Sequence, residues 1–196
     1  MALLRPSASA GPECRTWLAR LIVAVAGLWA GSAGAQTVAN EYQVRAAYLL
    51  NFARFVAWPA EVLPASAPLE IVVVGDYDPF EGALDDALRG KSANGHPILL
   101  RHLRWDEALT PYQIVFISAS EEPHLPQILR NLGNHSVLTV SDIERFSLRG
   151  GIIELRMVGN RMRFDINRTS ALAAQLNISS KLLGVARAVH EGSVAP

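Results

Sequence analysis

Polar residues stand within four positions of the ends of three largely apolar runs in this 196-residue chain: Asp76 and Asp78 after Ile71-Val72-Val73-Val74, Ser118 and Ser120 after Ile114-Val115-Phe116-Ile117, and Ser141 and Asp142 after Val137-Leu138-Thr139-Val140. In open α/β sheets a ligand usually sits beyond the carboxyl ends of the strands. Carboxylates and hydroxyls gathered there would suit a small polar ligand or a cation. The candidate ligand-binding set is therefore Asp76, Asp78, Ser118, Ser141 and Asp142. The same residue types also cap turns and helices, so Asp78, Ser120 and Ser141 have an architectural use as well.

Chemistry of turnover is harder to place. There is no G-x-S-x-G elbow, and His96, His102, His124, His135 and His190 never fall at the i, i+4 spacing of paired helical metal ligands. In Ser179-Ser180-Lys181 the lysine follows its serines too closely for the S-x-x-K arrangement, in which one helical turn brings amine to hydroxyl. Gly75-Asp76-Tyr77-Asp78 lacks the G-x-G-x-x-G turn that admits a pyrophosphate, and no lysine follows a late strand to hold a phosphoryl group. The expectation is a non-enzymatic binding or regulatory protein, with no catalytic residue, metal site or cofactor.

The N-terminus sets the compartment. Arg5, Arg15 and Arg20 lead into an apolar run from Leu21 to Ala30, and small residues then end in Ala33-Gly34-Ala35, the A-x-A pattern of a signal-peptidase site. Residues 1–35 read as a cleavable signal peptide, with a mature N-terminus near Gln36. The apolar run softens after about ten residues, whereas a spanning helix needs roughly 20. Cys14, the chain's one cysteine, precedes the apolar run and leaves with the signal. Cleavage leaves 15 Lys and Arg against 17 Asp and Glu, scattered rather than clustered, which argues against nucleic acid as a partner. Residues 36–196 show no low-complexity linker and are enough to bury one core, so they read as a single exported domain.

The elements that must position the polar residues follow from periodicity. A helix from about Glu41 carries Val44, Ala47, Tyr48, Phe52, Phe55 and Val56 as its stripe and ends at Trp58-Pro59. Ile71–Val74 is a β-branched run suited to a strand covered on both faces. Asp78-Pro79 opens a helix that Gly90 closes; Ile98–Leu103 and Ile114–Ile117 are strands; Pro123–Leu132 is a helix; Val137–Val140 is a strand. Runs 152–158 and 161–166 meet at Gly159-Asn160 as a hairpin. Leu172 and Leu176 belong to one terminal helical piece, and Leu182, Leu183, Ala186 and Val189 line a second, capped by Ser179. The expected fold is α/β: a layered sandwich with a mixed, largely parallel sheet, flanking helices, and a C-terminal β-hairpin plus helix.

Four stretches in order resemble the YfiR family of periplasmic regulators: residues 46–59 ending in Trp58-Pro59; residues 137–142 with Phe146 and Gly150-Gly151; Phe164-Asp165-Ile166-Asn167; and Ile178-Ser179-Ser180-Lys181-Leu182-Leu183. The resemblance spans about Glu41 to His190. It implies a soluble, non-enzymatic repressor that binds the periplasmic sensor domain of an inner-membrane diguanylate cyclase, lowering cyclic di-GMP and biofilm formation. A related signalling protein such as a sensor kinase is the alternative partner, and a homodimer would suit a dimeric membrane target. Thiol-based sensing by family cysteines cannot carry over to a mature chain without cysteine. Trp58, Pro59, Gly150, Gly151, Asn167 and Ser179 are expected to serve folding: helix ending, tight backbone paths, strand termination and capping.

Overall fold

The computed structural model describes residues 32–191, with side chains from residue 41 onward. Contacts divide the chain into two compact units, Met1–Ala39 and Asn40–Pro196. Most of the expected signal peptide lies outside the described residues. Among the described residues no helix is long and apolar enough to cross a membrane.

In chain order the elements are α1 (Ser32–Phe55), β1 (Val56–Ala57), β2 (Leu69–Val74), α2 (Ala83–Leu88), β3 (Ser92–Ala93), β4 (His96–Leu103), β5 (Ile114–Ile117), a 3-10 turn Ala119–His124 leading into α3 (Leu125–Leu132), β6 (Leu138–Ser141), a second 3-10 turn Phe146–Arg149, β7 (Ile153–Val158), β8 (Arg161–Asn167), α4 (Arg168–Ala173), β9 (Asn177–Ile178), α5 (Ser180–Val185) and β10 (Ala188–His190). Eight strands form one sheet in the order β10-β8-β7-β6-β5-β2-β4-β3. Strands β4, β2, β5, β6 and β7 are mutually parallel, and β10 is parallel to β8. The β3–β4 and β7–β8 pairs are antiparallel. The mixed, largely parallel α/β sandwich read from the sequence is the observed architecture.

Alternation along β2 divides the core. Ile71 and Val73 join Leu49, Phe52, Leu84, Ile114, Phe116 and Phe164 on the face covered by α1 and α2. Val72 and Val74 join Val115, Ile117, Leu125, Ile128 and Phe146 on the face covered by α3. The topology explains the layers. The step from β2 to β4 through α2 and the step from β5 to β6 through α3 travel in opposite directions along the sheet. Right-handed crossovers in opposite directions put their helices on opposite faces. The direction of winding therefore reverses between β2 and β5.

Several boundaries differ from the periodicity. The buried stripe of α1 is Ala46, Leu49, Phe52 and Ala53, while Val44, Ala47 and Phe55 are exposed. Residues 46–50 are Ala-Ala-Tyr-Leu-Leu, apolar around the helix, so the sheet and not the pattern selects the face. The helix stops at Phe55 because Val56–Ala57 pairs antiparallel with β9. Helix α2 starts at Ala83, a turn later than Asp78-Pro79 suggests, because the Asp78 carboxylate holds that turn by accepting from the N–H groups of Phe80 (2.9 Å) and Gly82 (2.6 Å). Leu172 is 62% exposed on α4. Ala186 and Val189 are not helical: α5 ends at Val185, and Val189 lies in β10, paired in parallel with Ile166. A free strand edge on β8 captures that segment, which helical spacing alone could not reveal.

Candidate functional site

The reversal between β2 and β5 is where an open α/β sheet ordinarily leaves a crevice for a ligand. Here it is closed. A Cβ built on Gly75 would lie 2.8 Å from Ser118 Cβ, so the ends of β2 and β5 touch through a position that only glycine can occupy without displacement. Ser118 N–H donates to Val74 O at 2.9 Å. The next pair of ends is joined through Ser141, whose hydroxyl donates to Ile117 O at 2.7 Å and accepts from Ile143 N–H at 3.0 Å. Four of the five candidate ligand residues are thus accounted for: Asp78 and Ser141 make internal hydrogen bonds, Ser118 is buried at the strand junction, and Asp76 is exposed. None of the four borders the clefts formed beside Asp142 or at the C-terminal end of α3.

Asp142 differs. Arg45 on α1 donates from Nη1 to Asp142 Oδ2 at 2.8 Å and from Nη2 to Glu41 Oε1 at 3.1 Å. Beside this bridge is a cleft of about 240 Å³ bordered by Arg45, Asp142, Glu144, Glu154 and Arg156. Arg45 Nε, Asp142 Oδ1 and Arg156 Nε are buried there without a partner. A neighbourhood offering two guanidinium donors and a carboxylate acceptor can recognise a polar group.

Sequence reasoning missed the polar network behind the cleft. The carboxylate of Glu154, a residue 2% exposed, accepts from Arg145 N–H (3.2 Å), Ser147 N–H (3.2 Å) and the Ser147 hydroxyl (2.8 Å). Asp165 is equally buried and lies opposite Glu154 on the hairpin. It accepts from Arg187 Nε at 2.8 Å and from Arg187 Nη2, with Arg156 Nη1 at 3.7 Å and His190 Nε2 at 3.9 Å. The hydrogen bond to Asp165 raises the Arg187 pKa above the usual arginine value, so this cation stays charged wherever the fold survives. Alternating charge and apolarity in Glu154-Leu155-Arg156 was the available signal, although a one-sided hairpin facing water gives the same pattern.

The motif residues meet around this network. A Cβ on Gly151 would fall 2.1 Å from Phe146 Cε1, so the buried ring rests directly on the glycine backbone. Asn167 ends β8, donates from Nδ2 to Ser147 O at 2.7 Å, and caps α4 by accepting from Ser170 N–H at 2.9 Å. Gly150 has φ of 100° at the end of the second 3-10 turn. At the far side, Ser179 caps α5 through Leu182 N–H (3.3 Å) and donates its own N–H to Phe55 O (2.9 Å), joining the last motif to the first. Trp58 Nε1 donates to Gln113 O at 3.2 Å, and Pro59 O accepts from Val62 and Leu63 in the following turn.

The sequence model of the YfiR/HmsC-like family matches residues 42–187, which takes in the motif residues from Trp58 to Ser179. The chain belongs to that family. YfiR/HmsC-like membership supports the general reading of a periplasmic regulator of diguanylate cyclases; the family is one of regulators, not enzymes.

Proposed function

We propose that this YfiR/HmsC-like protein is exported, cleaved before Gln36, and works as a single periplasmic domain of residues 36–196 that binds the periplasmic sensor domain of an inner-membrane diguanylate cyclase and holds it inactive. Cyclic di-GMP and biofilm formation fall as a result. The observation that carries the reading is the family match across residues 42–187. The closed strand ends at Gly75 and Ser118 support action through surface contacts instead of turnover.

Repression requires tighter binding to the inactive conformation of the cyclase than to the active one, since equal affinity shifts nothing. A homodimer of the repressor would match a dimeric target. Deleting the coding region should raise cellular cyclic di-GMP, and the mature protein should bind the isolated periplasmic segment of a cyclase. Unchanged cyclic di-GMP together with no binding would refute the proposal. Mass spectrometry of the periplasmic fraction should find Gln36 as the first residue.

The Arg45–Asp142 cleft supports a second reading, a small-ligand sensor acting on another membrane protein such as a sensor kinase. A ligand at 100 times its dissociation constant would stabilise the fold by about 2.7 kcal/mol. Thermal-shift screening that moves wild type but not Asp142→Asn would favour it; a flat screen would count against it.

A further inference from the structure

At the amino end of β6, the opposite end of that strand from Asp142, the C-terminal end of α3, the start of β6 and α4 border a cleft of about 390 Å³. That volume is in the range of pockets that hold small organic ligands. Its walls include Leu129, Val137, Ile152 and Ala173. Its polar groups are Arg130, Asn134, His135, Thr139 and Ser170, and no carboxylate borders it.

Ser170 is 8% exposed and its buried Oγ has no hydrogen-bond partner. Leaving such a hydroxyl unpaired costs roughly 1–3 kcal/mol, so an acceptor within the cleft would relieve a standing deficit. Thr139 Oγ1 accepts from Ile152 N–H at 2.9 Å, which leaves its hydroxyl hydrogen free to donate. Arg130 is exposed and forms no ion pair among the described residues. His135 Nδ1 is 2.8 Å from Leu132 O, and a carbonyl can only accept, so Nδ1 carries the hydrogen and Nε2 is free for another contact. Two of the four terminal carbonyls of α3 are satisfied, Leu129 O by Gly133 N–H and Leu132 O by His135 N–H, which weakens the negative end of the helix toward the cleft.

We infer that this cleft binds a small carboxylate with an apolar body, its charge held by Arg130 at the rim and its ring or chain lying against Leu129, Ile152 and Ala173. The hydroxyls of Ser170 and Thr139 supply donors further in. Nothing in this inference depends on the cyclase or on the Asp142 cleft.

The test uses the full mature protein with benzoate and hexanoate as probes and benzyl alcohol as the uncharged counterpart, read by ligand-observed NMR and thermal shift. Wild type should bind both carboxylates better than the alcohol. Arg130→Glu, at an exposed position where folding is insensitive, should weaken benzoate by about tenfold or more, the value of one charge-assisted hydrogen bond, while changing benzyl alcohol little. Ala173→Phe should fill the cleft and abolish binding of all three probes. Absence of benzoate and hexanoate binding to wild type at millimolar concentration overturns the inference, as does equal benzoate affinity in wild type and Arg130→Glu. Retained binding in a folded Ala173→Phe protein would also overturn it.

Discussion

Strands β2 and β5 bury apolar side chains on both faces, whereas the β7–β8 hairpin buries Leu155, Phe164 and Ile166 on one face and the charged Glu154 and Asp165 on the other. The two regions occupy the same sheet and are stabilised by different physics. In the β2–β5 half, any well-fitting apolar residue would serve, because transfer from water is non-directional. In the hairpin half each buried charge needs a donor at a particular place: Glu154 takes three from the 145–147 turn, and Asp165 takes the Arg187 fork. The second arrangement fixes how the C-terminal segment docks, and two of the four family motifs, those with Gly150-Gly151 and Asn167, lie beside it.

The contrast is testable from its largest consequences downward. Phe116→Ala removes a buried ring that packs edge-on against Phe80 at 4.8 Å, and should cost about 3–5 kcal/mol in urea denaturation. Gly151→Ala should cost the hairpin half about 3 kcal/mol, because the added methyl collides with the Phe146 ring. If Gly151→Ala proves neutral, the close approach is not a constraint and the comparison loses its strongest contrast.

Glu154→Gln keeps the volume but replaces one acceptor oxygen with a donor facing the N–H groups of the 145–147 turn, and a loss of about 1–3 kcal/mol is expected by the same measurement. The paired serines sharpen the point at lower cost. Ser141→Ala breaks two hydrogen bonds and should lose about 1 kcal/mol, while Ser118→Ala deletes a buried hydroxyl without a partner and should lose nothing or gain about 1 kcal/mol. Equal losses for the two serines would mean that burial, not bonding, governs these strand ends.

The smallest expected effect concerns Tyr42, whose hydroxyl donates to Glu81 Oε1 at 3.2 Å. That hydrogen bond raises the phenol pKa, with weaker contributions from desolvation and the Glu81 charge. A group whose folded pKa lies above its unfolded value contributes stability below the unfolded value, about pH 10 for tyrosine, and loses it as pH rises through the folded one. Tyr42→Phe should therefore flatten a small decline in stability above pH 10, followed by denaturation across alkaline buffers.

Much of the layered fold was legible in the chain. The β-branched runs at 71–74 and 114–117 announced strands covered on both faces, and Gly159-Asn160 announced the hairpin. The candidate crevice was legible only as a location. Ser141 ends β6 and Asp78 lies in the turn after β2, but whether such groups face a ligand or their own backbone depends on a few ångströms between neighbouring segments.

Sequence by itself determined the order of elements, the two-faced burial of the parallel strands and the family to which the chain belongs, because periodicity and motif order are properties of one dimension. Tertiary structure alone decided that Gly75 seals the winding reversal, that Val189 joins a sheet edge, and that Asp165 and Arg187 neutralise each other across 22 residues. Each of those depends on groups distant in sequence arriving within van der Waals or hydrogen-bond reach, a distance that no local pattern encodes.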